Sequence, residues 1–516
     1  MVSDRPGESV EAGPELHREA RVNAPDQVLT PRWLSYALIV AAASVFLAWV
    51  YLSVTHVDDR FGLDHVSGVR MALAKSFNEG TLYPELYDGE FYGGTRFMPL
   101  PIVLHGLIAR ATGEYLMSGK ALGYLSTLGL LAAMIWLLRR LRCPFPLALT
   151  LTTLVLTTNT GLSGSTSMRA DVLPLLFQVL AVGIVANASS RVATLGAASL
   201  ASLALISKLS AVWAPIAIIV WLLVRDRRRL ALFSAAYVGL SVVILLVFIG
   251  ISDGRLIENV LGLSTSGVSG VRSLLVAPYR FVHLLVGEAT AAWALVPLAG
   301  IAAWMAVKDR QISPYLVSLI CAAFVVVAVL TDVGTGWNQL IDVVVLTALV
   351  VGELGGRVQE SSGRSPAGRP DMMRVVGFIV VWVTVTGSIV TLGPDVIATF
   401  TGDASYPKDP LAGVATTRTE ILSEDPYVPL SLGQRPILLD PFMLPRLGER
   451  MPDAVPDLIR RIERHEFELI VLIEPLEPID RSWWRDLDLG LPVAQAISRA
   501  YISAGSVQGY YLYEPR

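Results

Sequence analysis

Residues 33–54 read WLSYALIVAAASVFLAWVYLSV, an apolar run without a single charged side chain. At about 1.5 Å of rise per residue, a helix of this length crosses a hydrocarbon core about 30 Å thick. The run begins too late and is too long for the apolar part of a cleaved leader, so it is expected to remain as an anchor. Ten more candidate spans follow, at 118–138, 144–160, 172–186, 192–207, 209–224, 230–251, 289–307, 314–331, 338–352 and 375–392. They account for a composition that is 53% hydrophobic and only 16% charged, where soluble domains carry about 25% charged residues. The expectation is a polytopic α-helical membrane protein with about 11 transmembrane helices.

The segment 98–111 is apolar but short and carries His105 and Arg110, which suits an interfacial helix better than a crossing. With that segment on the surface and the N-terminus cytoplasmic, every Arg-rich cluster falls on one side. These are Arg139, Arg140 and Arg142, then Arg191, then Arg225 with Arg227, Arg228 and Arg229, then Lys308 and Arg310, and finally the stretch 357–374. A crossing at 98–111 would scatter the later clusters to the other side, against the positive-inside rule. The predicted organisation is a disordered cytoplasmic tail (1–32), a transmembrane domain (33–393) whose outer loop 55–117 carries juxtamembrane helices, and a soluble extracytoplasmic domain (394–516). About a third of the charged residues lie in that last part. Strand patterns at 436–439 and 469–473 flank a helical pattern at 456–465, giving a small α/β or α+β unit. The reading is an integral protein of a bacterial plasma membrane. A net charge of -3 leaves no basic surplus for nucleic acid, and Cys143 and Cys321 alone build neither a disulfide framework nor a zinc site.

In so apolar a chain the informative residues are the polar ones near membrane depth. The outer loop, residues 55–97, reads THVDDRFGLDHVSGVRMALAKSFNEGTLYPELYDGEFYGGTRF. Loops this long usually have a task. Asp64 opens a helical pattern, Val66, Val69, Leu73 and Phe77, closed by Gly80. An Asp there serves as a helix cap or as a reactive carboxylate, and the pattern alone leaves both open. Other polar groups assigned to the same side are Arg169 and Asp171 in STSMRAD, Lys208 between two spans, Arg272, Arg280 and His283 in a loop, and Asn338 after Gly336 and Trp337. They fit transfer chemistry on an anionic lipid, or a set of snorkelling residues at helix ends. Tyr83, Tyr87, Phe91, Tyr92 and Phe97 suit either the stacking of a sugar or an interfacial aromatic belt. Asp58 and Asp59 read as solvated loop charges, and Trp483 and Trp484 as packing or membrane contact.

Asp64, Ala72, Gly80, Leu82 and Tyr83, followed by Pro99 and Pro101 at the head of a short apolar helix, resemble the first outer loop of the GT-C superfamily of polytopic glycosyltransferases. The pattern is that of the protein O-mannosyltransferase and aminoarabinose transferase type, which depend on polyprenyl-phosphate sugars. Arg169-Ala170-Asp171 resembles the family's Arg-x-Asp at the start of a span, Lys208 its Lys after a short span, and Gly336-Trp337-Asn338 its Gly-x-Asn. The likeness covers residues 33–392. His65 stands where family members commonly have a second acid, and Phe97-Met98-Pro99-Leu100-Pro101 replaces Tyr-Pro-Pro. These departures argue against carrying over a divalent cation, and no cofactor is expected.

The resemblance implies a GT-C-like fold and an inverting transfer of a sugar from a polyprenyl-phosphate donor to a glycan, lipid or protein acceptor at the outer face of the membrane. Phosphate is already a good leaving group, so the chemistry needs a base for the acceptor hydroxyl and cations for the departing phosphate. Asp64 fits the base, while Lys208, Arg169, Asp171, Arg272, Arg280, Tyr83 and Asn338 are the candidates for holding the donor. Burial at a protein–lipid boundary raises the pKa of Asp64 and neighbouring cations lower it. From another class, a transporter or lipid flippase of cell-envelope precursors would show polar residues deep inside several spans, which here are comparatively clean. A membrane scaffold is the third reading.

Overall fold

The computed structural model describes residues 31–169, 171–264, 270–332, 334–362, 370–403, 405–414 and 420–516. The predicted tail, residues 1–32, lies outside them except for Pro31 and Arg32. All eleven segments read as spans are helical over most of their length. α1 (Arg32–Thr55) starts directly after Pro31, whose ring fixes the entry angle. The outer loop folds into α2 (His65–Asn78) and α3 (Pro99–Thr112). Prolines in the first turn of α3 need no intrahelical N–H partner, and Gly113 ends it with φ 79°, a left-handed conformation that suits glycine. α4 (Tyr115–Arg140) leads to α5 (Phe145–Leu154) and α6 (Asn159–Thr166), which are bent by 79°. At the bend, Gly161 N donates to Thr158 Oγ1 at 2.9 Å and so caps α6.

The bundle continues through α7 (Val172–Asn187), α8 (Arg191–Ser207), α9 (Trp213–Arg225), α10 (Arg227–Ile251), the short α11 (Gly262–Ser264), α12 (Gly270–Glu288), α13 (Val296–Lys308), α14 (Pro314–Val329), α15 (Leu340–Ser362), α16 (Pro370–Gly387) and α17 (Gly393–Thr401). Among the described residues, six helical stretches are long and apolar enough to cross a membrane: α1, α4, α10, Thr290–Lys308, Trp337–Glu360 and Met372–Thr401. The bent pair of α5 and α6 makes a seventh if it counts as one span. α7, α8, α9 and α14 are apolar but only 13 to 17 residues long. In its most apolar 18 residues 83% of the Trp337–Glu360 stretch is buried and forms the centre, whereas only 11% of the corresponding part of α10 is, and α10 turns Val242, Val243, Leu246 and Val247 outward. An all-round apolar helix exposed in this way requires lipid, and the chain is an integral membrane protein.

Beyond α17 the composition supports a small four-stranded sheet, β1 (Ile421–Ser423), β2 (Leu469–Leu472), β3 (Tyr501–Val507) and β4 (Tyr510–Pro515), in the order β1-β2-β4-β3. β1 and β2 are parallel, and the other pairs are antiparallel. Helices α18 (Tyr427–Ser431), α19 (Leu444–Arg450) and α20 (Ala454–Glu463) lie in the crossover, and α21 (Leu491–Ala500) precedes β3. β2 alternates as a strand should: Ile470 and Leu472 pack with Leu458, Ile462 and Ile497, while Leu469 and Val471 pack with Leu411 and Val428. The predicted strand at 436–439 is not in this sheet. Ile437 O accepts from Tyr92 N at 2.8 Å and Leu439 N donates to Tyr92 O at 2.9 Å, so the segment pairs with a single residue of the outer loop. Pro436 and Pro441, on either side, leave it no room to extend as a ladder.

Helix packing at the bundle centre depends on close approach. A Cβ on Gly356 would lie 2.0 Å from the carbonyl oxygen of Leu141, a backbone atom that cannot rotate away, whereas one on Gly196 of α8 would meet nothing within 4 Å. Gly356→Ala should therefore cost about 1–3 kcal/mol. Gly196→Ala should be neutral or stabilising by up to about 1 kcal/mol. Thermal unfolding of the two variants in detergent checks this, and equal midpoints would contradict the packing.

Candidate active site

Four segments far apart in sequence meet at one end of the bundle. Asp64 is the cap of α2: Ser67 N donates to its Oδ1 at 3.0 Å, Ser67 Oγ donates to the same oxygen at 2.9 Å, and the Ser67 hydroxyl also accepts from Asp64 N. The other oxygen, Oδ2, accepts from Arg169 NH1 at 2.6 Å. Arg169 follows α6, and its Nε is 3.5 Å from Asp171 Oδ2 at the head of α7. Lys208, the residue that ends α8, donates to Asp171 Oδ1 at 2.6 Å. Asn338, in the turn leading into α15, donates to both oxygens of Asp171 at 3.1 Å. Carboxylate and cation therefore alternate from Asp64 through Arg169 and Asp171 to Lys208. Ala170, between the two, lies outside the described residues.

Burial pushes the Asp64 carboxyl up, but Arg169, His65 and the Ser67 hydrogen bonds outweigh it and hold the group below the ordinary carboxylate value. Asp171 follows the same logic: burial raises it, and Lys208 and Arg169 more than reverse that. Both are ionised at neutral pH. His65 stacks on Phe442 with centroids 4.6 Å apart, and burial drags its imidazole down to about 4 against the pull of Asp64. It is neutral and turned toward the C-terminal domain.

A buried cation of this site escaped the sequence reading. Arg70 sits in α2 at 6% exposure with its guanidinium 4.7 Å from the Phe97 ring centroid, and its Nε has no hydrogen-bond partner among the described residues. No carboxylate is within ion-pair distance of it there. Burial brings it down to about 10, so it stays charged. The signal was available: Val66, Val69, Leu73 and Phe77 define the apolar face, and Arg70 falls on that same face, where a cation needs a reason.

The remaining candidates are placed differently. Arg280 donates to the carbonyl oxygens of Leu330 (2.6 Å), Asp332 (3.2 Å) and Thr335 (3.1 Å), which organises the loop ahead of Asn338 rather than offering its fork to a ligand. The side chain of Arg272 lies outside the described residues. Tyr83 is fully buried and donates to Phe97 O at 2.8 Å. Tyr92 and Phe91 are likewise packed inside, so these rings serve as core between the outer loop and the C-terminal domain. Asp59 is not a free loop charge: it pairs with His56 at 2.5 Å and Lys120 at 3.6 Å. Asp332 joins Arg96 of the outer loop (2.5 Å) to Arg446 of α19 (2.8 Å). Among the described residues, no three carboxylate, imidazole or thiol groups converge as a metal site.

No protein-family model and no curated protein sequence matches the chain. Among solved structures it is similar to ArnT from Cupriavidus metallidurans bound to undecaprenyl phosphate, with a TM-score of 0.58 at 12% identity, covering 93% of this chain and 98% of that one. The apo state of the same protein gives 0.58 at 13% identity, with 92% and 97% covered. The fold is thus ArnT-like over nearly its whole length.

The ion-pair chain makes a pH-dependent contribution to stability. Asp64 and Asp171 have folded pKa values below the unfolded ones, so their stabilisation is complete above the ordinary carboxylate range and is lost progressively as pH falls from there through the depressed folded values. Arg169→Gln leaves both carboxylates short of a partner and should cost about 3–5 kcal/mol at pH 7. Protonation relieves the variant and penalises the wild type, so the gap in unfolding midpoint should narrow from pH 7 to pH 4. A constant gap would show that Arg169 acts through packing alone.

Proposed function

We propose that this chain is a membrane glycosyltransferase that moves a sugar from a polyprenyl-phosphate donor to an acceptor hydroxyl at the outer face of a bacterial plasma membrane, with inversion at the anomeric carbon. The observation that carries the reading is the convergence of Asp64, Arg169, Asp171, Lys208 and Asn338 at one end of an ArnT-like bundle. That ArnT crystallises with undecaprenyl phosphate supports a polyprenyl-phosphate lipid as the ligand class.

In this mechanism the acceptor oxygen attacks the anomeric carbon as Asp64 Oδ2 takes its proton, and the bond to the phosphate oxygen breaks on the opposite face of the sugar. The departing polyprenyl phosphate keeps the electron pair. Its charge is met by Arg70, the one cation at this site without an ionised partner among the described residues, and by Lys208, whose ammonium has further N–H groups beyond the one given to Asp171. Arg169 and Asp171 position these groups, and Asn338 locks Asp171. A depressed Asp64 pKa makes the carboxylate a weak but always ionised base, which suits a reaction whose leaving group needs no acid. The transporter reading is less favoured because the core between the two bundle ends is mostly Leu, Val and Ala, and its buried polar side chains such as Thr150, Gln178 and Ser202 are bonded to backbone.

The proposal includes the topology: eleven crossings, residues 1–32 as a cytoplasmic tail, α3 along the outer interface, and residues 394–516 as an extracytoplasmic domain. In a background without Cys143 and Cys321, a cysteine replacing exposed Glu90 should react with an impermeant thiol reagent on intact cells, and one replacing exposed Ser189 should not. The reverse pattern would invert the protein and put the site on the cytoplasmic face.

The catalytic assignment can be tested while the sugar is still unidentified. Mass spectrometry of lipid-linked glycans from cells with and without the gene identifies the missing product. Wild type and His65→Ala should restore it, and Asp64→Asn should slow transfer by about 10² to 10⁴. Lys208→Met and Arg70→Met should instead weaken binding of undecaprenyl phosphate to purified protein. Full restoration by Asp64→Asn removes the base from the mechanism.

A further inference from the structure

The bundle end away from Asp64 holds a second polar cavity. α7 runs from Asp171 at the site to Asn187, and α15 runs from beside Asn338 past Arg357, so about 24 Å of helix separates the two ends. Between the far ends of α4, α7, α9, α14 and α15 lies an open cavity of about 440 Å³.

Two arginines line it in different states. Arg357 NH2 donates to Glu353 Oε1 at 2.7 Å and to Gln311 O at 3.1 Å, so it is neutralised locally. Arg225, the last residue of α9, is exposed, and no carboxylate pairs with it among the described residues. Its guanidinium lies 5.0 Å from the Trp221 ring centroid, and it makes one long hydrogen bond to Ile312 O at 3.4 Å. The adjoining Asp226 is not its counterion, since its Oδ1 accepts from Arg228 N and Arg229 N at the head of α10. The cavity therefore carries one net positive charge, on a side chain held over an indole with its donors available.

The two helices whose ends meet at the cavity beside that charge carry exposed apolar side chains. α9 and α14 pack side by side and expose Val220 (45%) and Leu223 (54%) on one helix and Ile320 (50%) and Phe324 (73%) on the other. A single cation in a polar cup above an apolar strip at the end of a membrane helix matches a phosphodiester monoanion attached to acyl chains better than a free anion. We propose that this cavity binds the headgroup of an anionic glycerophospholipid, with its phosphate on Arg225 and its chains along α9 and α14, on the membrane face opposite the Asp64 site. The site is independent of the transferase reading, because none of its residues belongs to the Asp64 cluster.

The test uses the full chain purified in detergent and native mass spectrometry with phosphatidylglycerol and phosphatidylethanolamine as probes. Wild type should prefer phosphatidylglycerol, and Arg225→Gln should weaken that binding about fivefold and remove the preference over phosphatidylethanolamine. Glu353→Gln, which releases Arg357 and raises the charge of the cavity, should tighten it. Lys208→Met, at the other end, should leave it unchanged, which separates this site from occupation of the donor site by the same lipid. An unchanged thermal unfolding midpoint in detergent shows that Arg225→Gln is folded. Wild-type phosphatidylglycerol affinity in Arg225→Gln overturns the proposal. So does loss of that binding in Lys208→Met, or equal competition by glycerol 3-phosphate, which would make the ligand a soluble anion.

Discussion

Arg169 touches two carboxylates at once, Asp64 at 2.6 Å and Asp171 at 3.5 Å, and this end of the bundle is arranged around that fact. At the edge of a low-dielectric bundle an isolated carboxylate would take up a proton rather than stay charged. Alternating the signs lets both remain ionised, provided that the partners arrive from separate elements and meet within hydrogen-bonding distance. The cap of α2, the loop after α6, the end of α8 and the turn before α15 must therefore all reach one point. The 79° bend between α5 and α6 is one of the features that brings Arg169 there. A straight continuation of α5 would have carried it along the bundle axis instead.

The C-terminal domain belongs to this arrangement rather than hanging beside it. Phe442 covers His65, and Arg446 shares Asp332 with Arg96. α2 runs so close to the turn at Asp425 that a Cβ on Gly68 would sit 2.4 Å from Asp425 Oδ1, which is why glycine stands at this point of the helix. Asp425 itself accepts from Tyr427 N at 2.9 Å and Tyr510 Oη at 2.7 Å, yet burial still raises it to about 6. Two pairs of carboxyls thus behave in opposite ways: those of the ion-pair chain are driven down by cations, and those of the domain, Asp425 and Asp440, are driven up by burial. The difference is one of available partners, not of depth.

The bundle was legible because its signal is one-dimensional: a span announces itself by length and apolarity, and all eleven segments are helices. Length alone qualifies six or seven of them, since α7, α8, α9 and α14 are too short by that measure and owe their place to packing on α15 and its neighbours. The sheet was legible only in part. β2 is a run of four buried aliphatics, but β1 has three residues, and β3 begins at Tyr501 and then turns mostly outward, giving no periodic signature. At the site, motif order picked out Asp64, Arg169, Asp171, Lys208 and Asn338, which the fold brings together. It did not distinguish these from Arg280, because whether an arginine meets carbonyls or solvent is decided by a loop conformation that no local pattern encodes. Arg70 was hidden by the apolar face in which it sits.

The geometry shows Asp64 as a cap and divides its carboxylate between two oxygens. Oδ1 receives both Ser67 donors and fixes the carboxylate plane relative to α2, while Oδ2 points away from the helix toward Arg169. A capping carboxylate has almost no rotational freedom, so the cost of orienting it is met when the protein folds and not when a substrate binds. A free loop Asp at the same depth would sample many orientations and would draw its pKa from solvent rather than from Arg169. The chemical role proposed for this residue thus rests on the same bond network that caps α2.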